Sequence, residues 1–196
     1  MSRSVAILAF DQMEALDFVG PFEGLSTANR MAFRQGREQP FEAMSVVVTS
    51  RMTARAGLSI LVDRQLREVH EANVVLVPGG VTGDVESNEW LMSRLASVAS
   101  NAELVASVCT GVFVLAAAGV VTTEEVTTHW EDLDELSTKF PDLRVRRDVR
   151  WVDQGHVVTS AGISAGIDIS LYLVQRLASL ELAEATARQM DYDWRH

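Results

Sequence analysis

The chain is poor in cysteine, in basic side chains and in long apolar runs, and each shortage excludes something. Cys109 is the only cysteine among 196 residues, which excludes an internal disulfide and a metal site built from several thiolates, and favours a reducing, cytoplasmic location. Seventeen basic side chains stand against 27 acidic ones, for a net charge of −10, which disfavours binding to nucleic acid. The apolar runs end before the roughly 18–20 residues of a membrane span, so we expect no membrane partner.

Short runs rich in β-branched residues alternate with segments of helical length. The runs with the composition of buried parallel strands are 5–10, 44–50, 72–80 and 102–109. The predicted helices are 16–31, 88–100, 110–121, 130–140, 164–179 and 180–192. A hairpin is expected over 143–160, with Gly155 in its turn, and the basic cluster at 144–150 is expected on the solvated face of an edge strand.

This order of elements predicts an α/β fold: a three-layer α/β/α sandwich with a mostly parallel central sheet, of the flavodoxin-like kind. The length favours one domain, covering residues 1–196. Functional sites in such folds form at the carboxyl ends of the parallel strands. That rule selects the loops that follow Phe10, Val77 and Val108.

Cys109 lies where the predicted strand at 102–109 meets an apolar helix. Its small neighbours Ser107, Thr110 and Gly111 allow strand and helix to approach each other at a sharp turn, as in a nucleophile elbow. The positive end of the helix dipole lowers the pKa of a thiol at such a turn, so the pattern predicts a nucleophile near neutral pH. The alternative is an inert packing residue, because free cysteine is among the most buried residue types.

Two neighbouring segments offer groups that such a nucleophile uses. Gly79 and Gly80 end a predicted strand and are candidates for the backbone N–H donors of an oxyanion hole, although a simple turn has the same sequence. Asp17 is a carboxylate within an apolar stretch after the first strand. It is either the N-cap of the first helix or, close to the thiol in a desolvated pocket, a general acid/base with a raised pKa.

Together these pieces resemble the ThiJ/PfpI superfamily, which has the class I glutamine-amidotransferase-like fold, over nearly the whole chain. The motifs that carry the resemblance are LDFVGPFEGLS (16–26), VVLVPGG (74–80), SVCTGVFVLAAAG (107–119), TTHWEDLDEL (127–136) and VVTSAGISAGIDISLYLV (157–174). Within the superfamily the chain is most similar to isonitrile hydratases and to the amidotransferase-like domains of AraC-type regulators. Those regulators continue into a helix-turn-helix domain, and we expect none here because the chain ends at His196.

The resemblance to isonitrile hydratases implies a cofactor-free enzyme whose catalytic residues are Asp17, Cys109 and Thr110. Cys109 would attack the carbon of a small isonitrile, Asp17 would act as general acid/base through a thioimidate to an N-formamide, and the Thr110 hydroxyl would bond near the sulfur. The residues implied for the substrate pocket and oxyanion site are Gly79, Gly80, Gly111, His129, Trp130 and Ile163. His129 is either a wall of the pocket or a base. Homodimers are common in the superfamily, so a homodimer is also implied.

Two other functions stay open on the sequence alone. A reactive thiol without turnover would make the chain a redox sensor or a binding protein, oxidised to the sulfenic or sulfinic acid. The elbow also suits glyoxalase, deglycase or amidase chemistry on another small substrate. However, protease-like and glyoxalase-like members of the superfamily have histidine directly after the cysteine, where this chain has Thr110.

Overall fold

The structure, a computed structural model, describes residues 2–47 and 51–194. Its strands are β1 (Arg3–Ala9), β2 (Phe41–Val47), β3 (Arg51–Thr53), β4 (Ser59–Leu61), β5 (Arg64–Gln65), β6 (Val74–Val77), β7 (Leu104–Val108), β8 (Glu125–Val126), β9 (Arg144–Val145), β10 (Trp151–Asp153) and β11 (Val157–Ser160). Its α-helices are α1 (Ala15–Arg34), α2 (Gly83–Glu86), α3 (Glu89–Ala99), α4 (Gly111–Ala117), α5 (Leu133–Lys139), α6 (Ala165–Leu177) and α7 (Leu180–Gln189).

Seven of the strands form the central sheet, in the order β10-β11-β7-β6-β1-β2-β5. All neighbours in this sheet are parallel except β10 and β11, which form the antiparallel hairpin expected around Gly155. The strands β3 and β4 form a separate antiparallel hairpin, and β8 pairs with β9 in a second small sheet. The predicted mostly parallel α/β fold is confirmed.

The sheet is buried because helices cover both of its faces. Every residue of β6 and β7 is buried, which explains why these strands appear in the sequence as continuous apolar runs rather than as alternating ones. The helices α1, α6 and α7 contact one another in one layer, whereas α2, α3 and α4 form the other. Between the layers lies one continuous hydrophobic core.

The predicted helix boundaries hold to within a few residues, and the local signals explain most of them. Asn88 caps α3, since its side chain accepts a hydrogen bond from the Leu91 N–H at 3.0 Å. Gly119, with φ of 70°, follows the end of α4. The segment predicted as one helix over 130–140 is instead a 3₁₀ turn at 130–132 followed by α5. The end of the strand predicted over 44–50 lies outside the described residues.

The basic cluster at 144–150 forms an edge strand only at Arg144–Val145, and not over its whole length as predicted. Only Arg144–Val145 is extended, and it pairs with β8. The basic side chains bind acidic partners, as in the 2.7 Å ion pair between Arg146 and Glu125. Within the described ranges, no helix is long and apolar enough to cross a membrane.

The strand order brings the three loops selected from the sequence to one edge of the sheet. The loops after β1 and β6 are joined directly, because Glu14 donates its N–H to the Gly79 carbonyl at 2.8 Å and Met13 forms a bridge with Gly80. The loop after β7, which carries Cys109, lies beside them because β7 is the neighbour of β6. Residues far apart in the chain therefore meet there.

Candidate active site

Cys109 occupies a sharp turn between β7 and α4, as predicted. Its φ is 56°, a left-handed conformation that costs a non-glycine residue about 1–3 kcal/mol. The surrounding structure holds it there: its N–H donates to the Ser160 carbonyl at 3.1 Å. Gly111 allows the helix to approach so closely, because a Cβ at that position would lie 2.1 Å from the Val77 carbonyl oxygen. The cysteine is 7% exposed.

Asp17 lies in the first turn of α1 and does not cap that helix, because the N-cap position belongs to Glu14. Its side chain is fully buried, and its Oδ2 accepts a hydrogen bond from the Gly79 N–H at 3.1 Å. Within the described part of the chain, its Oδ1 makes no well-directed hydrogen bond. A buried carboxylate left so incompletely bonded is typical of functional sites.

Asp17 and Cys109 meet across Gly79. A Cβ on this glycine would lie 2.7 Å from the Cβ of Cys109 and 2.8 Å from Oδ2 of Asp17. Both side chains therefore pack against the place where any other residue would have its own side chain. The absence of a side chain at Gly79 is what allows the carboxylate and the thiol to be neighbours.

The environment raises the pKa of both members of this pair. Burial raises the pKa of Asp17 from 3.8 to about 6, opposed chiefly by the Gly79 N–H and then by the Cys109 thiol. Burial, followed by the negative charge of Asp17, raises the pKa of the Cys109 thiol to about 12. At neutral pH the carboxylate is therefore ionised, and the sulfur holds its proton.

The expectation of a lowered thiol pKa is thus wrong, for a physical reason. The sequence pattern predicted the effect of a helix dipole, and the helix here has only seven residues. The backbone N–H of Thr110 does favour the thiolate, but burial and the negative charges of Asp17 and Asp132 outweigh it. The thiol thus needs a base to become a nucleophile, and Asp17 is placed to be that base.

The Thr110 hydroxyl does not bond near the sulfur as expected. It accepts the Gly80 N–H at 2.8 Å and donates to the Gly80 carbonyl at 2.9 Å, so it joins the turn after β7 to the turn after β6. The oxyanion-hole expectation also changes, because the N–H of Gly79 is bound by Asp17 and that of Gly80 by Thr110. Neither amide is free to stabilise a developing negative charge.

A cavity of about 290 Å³ opens beside Cys109. Its lining residues are Glu14, Arg55, Gly80, Cys109, Thr110, His129, Glu131, Asp132 and Ile163. Of the residues predicted for the pocket, Gly80, His129 and Ile163 line this cavity. Gly79 and Gly111 instead act through close backbone packing, and Trp130, which is 72% exposed, lines a neighbouring cavity.

His129 is fixed at the wall of the cavity. Its Nδ1 lies 3.4 Å from the Glu131 nitrogen and 3.4 Å from Oδ2 of Asp132. The other edge of its ring lies against Gly162, where a Cβ would be 2.2 Å from the ring carbon Cδ2. These contacts fix the ring through its Nδ1 edge and its Cδ2 edge.

Four charged residues of the cavity were not among the predicted site residues: Glu14, Arg55, Glu131 and Asp132. Glu14 lies in the loop selected after the first strand, and the acidic pair directly follows the His129-Trp130 motif, so both could have been found by their position. Arg55 comes from the β3–β4 hairpin, for which no motif gave a signal. In the described ranges, no three His, Cys, Asp or Glu side chains are grouped to hold a metal ion.

Fold and site together define a class: α/β proteins with a cysteine on a strand-to-helix elbow beside a buried carboxylate. The chain belongs to the DJ-1/PfpI family, which it matches over residues 3–176. The ThiJ/PfpI resemblance found in the sequence motifs is thereby confirmed.

Its relatives include an enzyme and a regulator. The chain is 31% identical over 193 residues to isonitrile hydratase of Pseudomonas putida, which covers 98% of this chain and 79% of that protein. It is 28% identical to the HTH-type transcriptional regulator CdhR of Pseudomonas aeruginosa, over 96% of this chain and 55% of the regulator. The crystal structure of a ThiJ/PfpI family protein from Pseudomonas syringae has a TM-score of 0.87 at 25% identity, over 100% of this chain and 77% of that one.

Proposed function

We propose that the protein is a cofactor-free isonitrile hydratase in which Asp17 activates the thiol of Cys109. The observation that carries the proposal is the buried pair across Gly79, in which the carboxylate is ionised and the thiol protonated at neutral pH. Such a pair transfers a proton within the site at the moment that the sulfur attacks. The similarity to the hydratase of Pseudomonas putida supports the choice of substrate class.

The first half of the reaction adds the thiol across the isonitrile carbon. Asp17 takes the thiol proton as the sulfur of Cys109 attacks the terminal carbon of R–N≡C and forms the S–C bond. Protonated Asp17 then gives this proton to the same carbon, which produces the thioimidate R–N=CH–S–Cys. No oxidant or metal is needed, because the step is an addition of S–H to carbon.

The second half adds water to the thioimidate. Asp17 takes a proton from the water as its oxygen attacks the carbon, and it then gives this proton to the imine nitrogen, which becomes N–H. The C–S bond then breaks, the hydroxyl proton returns to the sulfur through Asp17, and the products are R–NH–CHO and the free thiol. The charged and polar wall of the cavity, which includes Glu14, Arg55 and His129, suits the water and the polar formamide.

Thr110 and His129 have supporting roles in this proposal. Thr110 holds the Gly80 turn against the elbow through its two hydroxyl bonds, and its backbone N–H favours negative charge on the sulfur. His129, held by the Glu131 N–H and packed against Gly162, limits the volume beside the sulfur. A redox-sensing function is less well supported, since a thiol kept protonated reacts slowly with peroxide.

The test is turnover of a simple alkyl isonitrile, with the N-formamide followed by NMR. We expect turnover by the wild type and none by Cys109→Ala, which the buried, close-packed elbow accommodates because alanine is smaller. Asp17→Asn should lower turnover at least about 100-fold, the usual contribution of a general acid/base. Formamide production that survives Cys109→Ala would remove the proposal.

A further inference from the structure

The second half of the proposed reaction places negative charge on an oxygen. As the C–S bond breaks, the hydroxyl oxygen of the intermediate loses its proton and becomes the carbonyl oxygen of the formamide. Enzymes that break down such intermediates aim N–H donors at that oxygen. Here the N–H groups of Gly79 and Gly80 already bind Asp17 and Thr110, and the N–H of Thr110 favours negative charge on the sulfur. The oxygen therefore needs another donor from the wall of the cavity.

Arg55 is the charged donor on the wall of the cavity beside Cys109. Among the described residues that line this cavity, it alone carries a permanent positive charge. The other charged side chains there are the carboxylates of Glu14, Glu131 and Asp132. A guanidinium has several N–H donors and keeps its proton at neutral pH, so it is well suited to bind an oxygen that gains negative charge.

The β3–β4 hairpin holds the backbone of Arg55 at the rim of the cavity. The Arg55 N–H donates to the Met13 carbonyl at 3.0 Å, and the Gln12 N–H donates to the Thr53 carbonyl at 2.8 Å. The Thr53 N–H in turn donates to Oδ1 of Asp11 at 2.7 Å. These bonds fix the hairpin, and Arg55 with it, to the loop that precedes α1.

The side chain of Arg55 is held more loosely than its backbone. Its Nη1 lies 3.6 Å from Oε2 of Glu14, which is longer than a normal hydrogen bond, and 57% of the Arg55 side chain is exposed. Glu14 also lines the cavity, so its charge attracts the guanidinium towards the cavity without occupying all of its N–H groups. The remaining N–H groups can bind a molecule held beside Cys109.

We propose that Arg55 is a further catalytic residue, whose guanidinium binds the water-derived oxygen while the tetrahedral intermediate breaks down. This inference rests on the proposed function, because the oxygen is the one that the attacking water supplies. Asp17 takes the hydroxyl proton, and the electron pair of the O–H bond forms the second bond of the C=O group. The electron pair of the C–S bond stays on the sulfur, which receives the proton from Asp17. Arg55 donates hydrogen bonds and exchanges no proton.

Arg55→Gln and Arg55→Lys test the role of the guanidinium. Both variants should fold, because the Arg55 side chain is largely exposed and exposed ion pairs contribute little to stability. Arg51→Gln is the matched control, since Arg51 lies on the same hairpin, is also exposed and does not line the cavity. The measured quantities are kcat and KM for a simple alkyl isonitrile, and the mass of the intact protein during turnover.

We expect kcat to fall about 100-fold in Arg55→Gln, the usual effect of removing a donor to such an oxygen. Because Arg55 acts after the S–C bond has formed, KM should fall with kcat, and kcat/KM should stay near its wild-type value. The thioimidate should then accumulate on Cys109, heavier than the free protein by one isonitrile. Cys109 is the only cysteine, so the intact mass reports this adduct. Arg55→Lys, which keeps the charge, should have an intermediate kcat, and Arg51→Gln should keep the wild-type constants.

An unchanged kcat in Arg55→Gln would overturn the role of the guanidinium and leave the hydratase function standing. A fall in kcat/KM without the adduct would overturn it as well, because a hairpin that only shapes the cavity gives that result. If His129→Gln accumulates the adduct and Arg55→Gln does not, the histidine binds the oxygen and the proposal is wrong. A wild type that produces no formamide would instead contradict the proposed function.

Discussion

The Asp17 carboxylate and the Cys109 thiol are buried side by side, and the carboxylate loses its proton at a lower pH than the thiol does. The chemistry of the site follows from this order. In a site with a thiolate at neutral pH, the pKa of the sulfur alone would determine reactivity. In this site the protonation state of the carboxylate determines it.

The pH dependence of turnover should therefore follow Asp17. Below about pH 6 the carboxylate is protonated and cannot accept the thiol proton, so kcat/KM falls on the acid side. Above pH 6 it should stay level beyond pH 9, because the pKa of the thiol lies at about 12. Stopped assays between pH 4.5 and 9.5 measure this, and an acid limb centred near pH 8 would contradict it.

Asp17→Asn should separate thiol acidity from catalysis. Loss of the negative charge beside the sulfur lowers the pKa of Cys109, so alkylation by iodoacetamide between pH 8 and 10 becomes faster. Turnover of an isonitrile falls at the same time, because the base is gone. If both rates fell together, the carboxylate would be positioning the cysteine rather than exchanging its proton.

The same substitution should stabilise the fold. The pKa of Asp17 is raised from 3.8 to about 6 in the folded chain, so the folded state binds a proton more tightly, and its free energy of unfolding falls as the pH rises through this range. At about 1.4 kcal/mol per pKa unit, Asp17→Asn should gain about 1–3 kcal/mol at pH 7. The gain should disappear as the pH falls towards 4, which urea denaturation at several pH values would show.

Asp168→Asn is the matched control for that experiment. Asp168 is also fully buried, but it is paired with Arg150 and accepts a hydrogen bond from the Tyr192 hydroxyl at 3.0 Å. Loss of its charge leaves the guanidinium without its partner, so this variant should be destabilised at pH 7. Opposite shifts would show that burial of a carboxylate does not by itself determine the sign, and two variants that shift in the same direction would contradict this prediction.

Gly79→Ala should abolish turnover by separating the pair. The added Cβ would lie 2.6 Å from the Thr110 nitrogen as well as against both functional side chains. Because that nitrogen belongs to the backbone, moving it away costs free energy. We expect a loss of at least about 100-fold in turnover and about 1–3 kcal/mol in stability. Gly83→Ala is the control, because a Cβ there meets nothing within 4 Å. Thermal melts and turnover assays of both variants test this prediction.

Thr110→Val should weaken the link between two turns. Valine keeps the shape but cannot bond the Gly80 N–H and carbonyl, and each unsatisfied group of this kind costs about 1–3 kcal/mol. Thr110→Ser keeps the hydroxyl and should retain most of the stability and turnover. Equal behaviour of valine and serine variants in melts would exclude this role for the hydroxyl.

The sequence predicted the fold well because its signals are local. The apolar strands, the Asn88 cap and the stop at Gly119 depend on residues within a few positions of each other. The elbow was also visible, since it needs only small neighbours around Cys109. The β3–β4 hairpin was missed for the opposite reason: its short strands have no strong periodicity, and so its contribution of Arg55 to the site was missed as well.

The electrostatics of the site could not be predicted from spacing. The pKa of Cys109 depends on burial and on Asp17, which is 92 positions away and reaches it only through the sheet order β7-β6-β1. Similarly, the amides of Gly79 and Gly80 looked free in the sequence, whereas the fold gives each an acceptor. Both the pKa of the thiol and the hydrogen bonding of the two amides therefore depend on residues that only the tertiary structure brings together.

The turn at Cys109 depends on a residue that is synthesised later in the chain. Its left-handed conformation is held by a hydrogen bond to the Ser160 carbonyl, and Ser160 leaves the ribosome about 50 residues after the cysteine does. Until β11 joins the sheet beside β7, the nascent elbow lacks this hydrogen bond. We therefore expect the thiol to be solvent-exposed during synthesis. The buried pair of Asp17 and Cys109 should form only when the C-terminal third of the chain has left the ribosome.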